Sequence, residues 1–324
     1  MQEWQEGFIH LKKFEIHRQP VKLQFLLFSF LLFATPLIAD VELDTQNVGS
    51  ENIQQPAKRT PFSFETHIDY VTKAKIDKKG RYGDHIQFAE AQAEAGMVVY
   101  YNPTYTEGAR VALGFTPTYI EWSKNPWFEQ DHFNIVNLSV AAFTKRLDRW
   151  FWRTQITANF DTSDWSSKYT SYDWIVWGRY AYNCNLGFHF GFWAETGLKM
   201  DRVYPILGFD WQITNKLKLN AVFPVDIALL YSINKKWSIG AAARFFDSRF
   251  RVKHKQHSLM PLFRYINTGA ELIAKYETPT TTANIHAGST LGGYVRVANK
   301  NNHHAKHYDI DPAFYVGAEM DVKF

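Results

Sequence analysis

From residue 61 onward the sequence alternates apolar and polar positions, segment after segment, with turn residues between. In 150–161, Trp150, Trp152, Ile156, Ala158 and Phe160 alternate with Arg153, Gln155, Thr157, Asn159 and Asp161. In 186–199, Leu186, Phe188, Phe190, Phe192, Ala194 and Leu198 oppose Gly187, His189, Gly191, Trp193, Glu195, Gly197 and Lys199. Phe62, Phe64, Ile68 and Tyr70 likewise oppose Glu65, His67, Asp69 and Lys73, and the segment at 314–324 repeats the pattern. Successive side chains of a strand point to opposite faces, so each segment predicts a strand with one apolar and one polar side.

The connections predict how the strands are arranged. Long stretches at 74–85, 123–132, 162–170, 251–261 and 299–308 alternate with a moderate one at 102–108 and short ones at 145–149, 183–185, 214–216, 234–236 and 278–280. Tight corners at 200–201 and 223–225 complete the series. Short turns on one side and longer loops on the other are the habit of transmembrane barrels. The reading is an all-β, antiparallel transmembrane β-barrel of about fourteen strands over residues 61–324, with both ends and the short turns in the periplasm. Its weak point is 217–233, where every odd residue from Leu217 to Ile233 is apolar. Two strands fit because the flanking turns look alike and because pairing about Asn215 sets Pro205 level with Val225, beside Pro224; prolines belong at strand ends and rims. One long strand there gives a twelve-stranded alternative.

Composition supports lipid on the outside. Aromatic residues make up 17% of the chain, including 17 Tyr and 11 Trp, which suits aromatic girdles at two membrane interfaces. A spanning helix needs about 20 apolar residues in a row, and only one run approaches that length. That run, 23–39 (LQFLLFSFLLFATPLIA), lies between Lys22 and Asp40 and has the parts of a secretory signal. Residues 1–39 are therefore expected to be a signal peptide cleaved after Ala39; the mixed charges of the first twenty residues suggest a start at Val21. Residues 40–60 are polar and aperiodic, as in a flexible periplasmic segment. The single cysteine, Cys184, excludes a disulfide framework or Cys-rich metal site. The net charge of +4 is scattered, giving nucleic-acid binding no support.

Polar positions of the strands supply the candidate lumen lining: Glu65, His67, Asp69, Glu90, Glu94, Arg110, Arg153, Arg179, His189, Glu195, Arg244, Glu271, Arg296 and Glu319. Arg202, Asp210, Asp226, Lys275 and His286 share that parity. Both signs of charge occur, as in a hydrated pore with a transverse field or in an ion-pair network that fills a narrow interior. A fourteen-stranded barrel lies between the filled small barrels and the open porins.

The ending 315–324 (YVGAEMDVKF), with Phe324 preceded by Val322 and Met320, resembles the C-terminal assembly signal of bacterial outer-membrane barrels. That resemblance implies the barrel assembly machinery as a transient partner, beside outer-membrane lipids. The stretch 204–210 (YPILGFD), with Asn215, Lys216, Leu217, Phe223, Pro224 and 231–234 (YSIN), looks like part of an uncharacterised bacterial outer-membrane family. It implies location and fold, and no activity.

Signals for chemistry are sparse. A serine hydrolase needs a base within hydrogen-bond reach of its nucleophile, yet the nearest pair, His286 and Ser289, differs in parity. The stretch 299–309 (NKNNHHAKHYD) has imidazoles that suit zinc or nickel, but reads first as a solvated loop. The basic stretch 251–257 (RVKHKQH) suits lipid phosphates or a polyanion. The expectation is a porin-like channel for passive diffusion of small hydrophilic solutes, with no cofactor or metal and no enzymatic activity. The alternatives are a non-conducting surface, adhesion or envelope protein and a membrane-embedded lipid hydrolase or acyltransferase.

Overall fold

The computed structural model describes residues 61–77, 84–102, 104, 106–252 and 260–324. The expected signal peptide and periplasmic segment lie outside these residues, as does most of the basic loop. The described strands are β1 Phe62–Asp77, β2 His85–Tyr101, β3 Glu107–Trp122, β4 His132–Thr144, β5 Trp150–Asp161, β6 Thr170–Ala181, β7 Leu186–Gly197, β8 Arg202–Gln212, β9 Leu217–Phe223, β10 Asp226–Ser232, β11 Trp237–Arg251, β12 Leu262–Glu277, β13 Thr281–Ala298, β14 Lys306–Ile310 and β15 Phe314–Lys323. Each pairs antiparallel with its neighbours, and the ring closes where β15 pairs with both β13 and β1.

Because β14 also lies between β13 and β1, β14 and β15 are two pieces of one wall position. The barrel thus has fourteen positions. The break falls at 311–313, where Pro312 has no N–H for a ladder. Beside it, β13 carries a bulge at 291–292, with Gly292 at φ 97°. The last segment is therefore two strands instead of the expected one, and β14 takes residues 306–308 out of the expected 299–308 loop.

The stretch 217–233 does divide, with β9 and β10 pairing tightly about the corner at 224–225 (Val222 opposite Asp226). Leu207 of β8 pairs with Phe223, the highest contact between β8 and β9.

The apolar faces point outward. Leu272, Ile285, Leu113 and Val203 are 73%, 66%, 59% and 66% exposed, a surface that water would penalise and lipid accepts. At the short-turn end, aromatic residues gather around the outside, with Trp150 against Tyr180 at 5.0 Å between ring centres and Trp237 against Tyr276 at 5.0 Å. This is an interfacial girdle.

Inside, the two ends differ. Towards the short turns the inward positions are charged or polar. Towards the long loops those of β1 to β4 and of β11 to β14 that face them are apolar, and they meet across the lumen: Phe88 of β2 stacks on Tyr265 of β12 at 4.5 Å, Phe133 of β4 on Phe250 of β11 at 4.1 Å, and Trp122 of β3 meets Tyr308 of β14 at 5.2 Å, whereas the inward positions of β6 to β8 stay charged. Phe133, Phe263, Val295 and Val297 are completely buried.

The upper part of β11 explains how opposite walls come this close. Its even face (Phe246, Ser248, Phe250) looks towards β2 and β4, with Ser248 donating to Glu90 at 3.1 Å. Its odd face is exposed at Phe245, but from Asp247 on it meets inward-facing residues of β6 to β8. Above Phe245, therefore, β11 and its partner β12 lean inward from the wall and are covered on both faces.

Candidate functional site

Four arginines organise the interior, each held by strands whose parity aims it inward. Nearest the short turns, Arg110 of β3 pairs with Glu94 at 2.9 Å and Glu65 at 2.9 Å and donates to Ser63 at 2.8 Å. Gly96 lies beneath its guanidinium, and any side chain there would collide with it. Arg153 of β5 donates to Gln155 at 2.5 Å.

Across the lumen, Arg244 of β11 pairs with Glu319 at 2.6 Å, Glu271 at 2.8 Å and Asp69 at 3.3 Å. Asp69 also takes His286 Nε2 at 2.7 Å and His67 Nε2 at 3.3 Å, while Tyr315 donates to Glu271 at 2.9 Å. The third centre is Arg179 of β6, bidentate to Asp210 at 2.7 and 2.8 Å, with His189 Nε2 on the same carboxylate at 2.5 Å and Trp177 donating to His189 at 3.0 Å. Removing one partner from such a network leaves a desolvated charge, at a cost of about 3–5 kcal/mol.

The fourth centre joins β8 to the inward-leaning hairpin. Arg202 of β8 pairs with Glu195 at 2.5 Å and Asp247 at 2.6 Å; Arg264 of β12 is bidentate to Asp247 at 2.9 and 2.6 Å and donates to Tyr204 at 2.9 Å. Arg249 reaches Asp173 at 3.3 Å and Glu195 at 3.6 Å.

The structure thus brings the candidate residues into these clusters, with Glu90 accepting from Thr118 at 2.9 Å and from Ser248. Arg296 is different, and its expected place in the lumen is corrected. The bulge at 291–292 flips the parity of β13, so Val295 and Val297 turn inward while Arg296 faces the other way and donates to the Asn302 carbonyl at 3.3 Å. A bulge between Val71 and Ala74 similarly turns Lys73 out.

Asp173, Asp247, Arg249 and Arg264 are absent from the sequence-based candidates. Their signal is the charge pattern of β11: Asp247, Arg249 and Arg251 occupy the face that carries Phe245 and Ile239 lower down. Consecutive charges on a lipid face are costly, so such a run marks a strand leaving the wall.

His286 and Ser289 do not come together: His286 is buried on Asp69, whereas Ser289 lies on the opposite face and donates to the Thr290 carbonyl at 3.0 Å. Among the described residues, no group of three His, Cys, Asp or Glu side chains is placed to hold a metal ion.

A closed antiparallel barrel with an apolar exterior, an aromatic girdle and charges inside defines a multi-pass β-barrel of the outer-membrane class. The chain belongs to the family described as a domain of unknown function, DUF6268, whose model matches residues 70–323. It is 27% identical to an uncharacterised protein of Chlamydia pneumoniae over 92% of this chain and 99% of that protein. It is 22% identical to an uncharacterised protein of Chlamydia trachomatis serovar D over 81% of this chain and 87% of that protein. Among solved structures, an outer membrane channel from Pseudomonas putida F1 is similar at 8% identity and a TM-score of 0.46, covering 87% of this chain and all 100% of its own. A FadL homologue from Pseudomonas aeruginosa is similar at 10% identity and a TM-score of 0.45, covering 82% of this chain and 90% of its own.

Proposed function

We propose that the chain is an outer-membrane channel for small hydrophilic solutes, narrowed at the long-loop end by the inward-leaning part of β11 and β12. The observation that carries this reading is the charged inner wall. Arg110, Arg179 and Arg244 with their carboxylates line the short-turn half of the interior, where a barrel built only to be filled has apolar side chains available at no desolvation cost. Lumen charges then tune which solutes pass. The activity is non-enzymatic passage, and transient handling by the barrel assembly machinery through Phe324, Val322 and Met320 precedes it.

The test is single-channel recording of the chain from Asp40 onward in a planar bilayer. Discrete current steps are expected, with amplitude or ion preference altered by Arg153→Gln and Glu195→Gln. A barrel that is folded by heat-modifiable gel mobility yet silent overturns the reading.

That outcome favours a second one, a non-conducting surface, adhesion or envelope protein acting through 251–261 and 299–308. Its support is the aromatic cluster that spans the lumen. It predicts binding to cells or envelope components that is lost when those loops are shortened. A lipid hydrolase or acyltransferase, the third reading, would show turnover of a lipid ester by the reconstituted barrel.

A further inference from the structure

The barrel wall is low at one place. β9 and β10 have 7 residues each, between β8 with 11 and β11 with 15. The pairing of β8 with β9 stops at Leu207, and that of β10 with β11 stops at Ala243. Among the described residues, 202–206 of β8 and 244–251 of β11 therefore face each other above the corner at 224–225 without a strand between them. What spans this notch is side chains: Arg202, Tyr204, Asp247 and Arg264.

The two sides of the notch differ in chemistry. Its outer rim is apolar and exposed at Val203, Leu207, Phe223, Val225 and Phe245, so it adjoins lipid. Its inner side is ionic, and its spare hydrogen-bonding capacity consists chiefly of donors: among the described residues Arg202 Nη2 and Trp193 Nε1 are buried without a hydrogen-bond partner, while Glu195 Oε2 and Arg202 Nε meet each other as an ion pair. The rings of Trp193 and Tyr204 lie 5.7 Å apart on paired positions of β7 and β8, so both donors belong to one patch. Buried donors without acceptors are costly, and an oxygen acceptor entering through the notch satisfies them.

We propose that the notch above β9 and β10 is a lateral binding site for a single-chain anionic amphiphile from the membrane. Its apolar chain lies against Val203, Phe223, Val225 and Phe245, and its anionic head reaches Arg202 and Trp193. The head competes with Asp247 for Arg202 and Arg264, so occupation loosens the contacts that tie the inward-leaning hairpin to β8. This site does not require axial conduction.

The experiment uses the folded barrel in phosphatidylcholine vesicles and a dansyl-labelled undecanoate, read by energy transfer from tryptophan. Saturable transfer is expected, displaced by dodecanoate and not by dodecanol. Arg202→Gln weakens binding about tenfold, the loss of one hydrogen bond to a charged group; Asp247→Asn, which frees the guanidinium groups, strengthens it. Trp193→Phe keeps an aromatic ring, removes the indole N–H donor and weakens binding less than Arg202→Gln; Arg153→Gln, away from the notch, leaves affinity unchanged even where it alters conductance. Transfer that only follows lipid partitioning, equal displacement by dodecanol, or unchanged affinity in both Arg202→Gln and Trp193→Phe overturns the proposal. A silent planar bilayer leaves these readouts intact, so the two proposals fail separately.

Discussion

At the scale of single residues, the interior works by compensation. Arg244 holds three carboxylates from β1, β12 and β15, so strands distant in sequence are tied through one guanidinium. Arg244→Met is expected to lower stability by about 3–5 kcal/mol, because it leaves Asp69, Glu271 and Glu319 with unbalanced charge. Urea unfolding followed by tryptophan emission in detergent would measure this, and a variant within experimental error of the parent would mean that water satisfies those carboxylates. The neighbouring Gly317 makes the cluster fit: a side chain there would strike His286 Nε2 and Asp69 Oδ1. Position-by-position alternation revealed that these residues share a face. It did not reveal which of them meet, because partners such as Asp69 and His286 are separated by most of the chain.

At the scale of elements, strand existence and the split of 217–233 were legible, since turn residues and period-two patterning act locally. Irregularities were not. The bulges at Val71 to Ala74 and at 291–292 each change parity, and a pattern read with fixed parity therefore places Lys73 and Arg296 on the wrong side. Gly292, at φ 97°, holds the second bulge beside the Ile310 carbonyl. Gly292→Val is expected to cost about 1–3 kcal/mol, since L side chains strain at that φ. The measurable sign is a lower urea midpoint with faster amide exchange in β13 and β14 than in β5 and β6. The inward lean of β11 and β12 was also hidden, because alternation names two faces without saying what covers each.

At the scale of the whole molecule, the interior is ionic towards the short turns and along β6 to β8, and aromatic towards the long loops between β1 to β4 and the inward-leaning β11 and β12, with lipid-compatible side chains around it. Closure runs through backbone pairing of Phe62 with Phe324, at 2.8 Å from Phe324 N to the Phe62 carbonyl. The charged half and the short turns share an end, so sidedness in the membrane decides which compartment the polar interior faces. The chain carries its own reporter for this. Cys184, the single thiol in the sequence, is exposed in the short turn between β6 and β7. An impermeant maleimide offered to intact cells should leave it unlabelled, and the same reagent after osmotic rupture of the outer membrane should label it once per molecule. Labelling of intact cells would instead place the short turns outside and turn the polar half of the interior towards the medium. An exposed turn residue thereby becomes a compass for the protein's insertion.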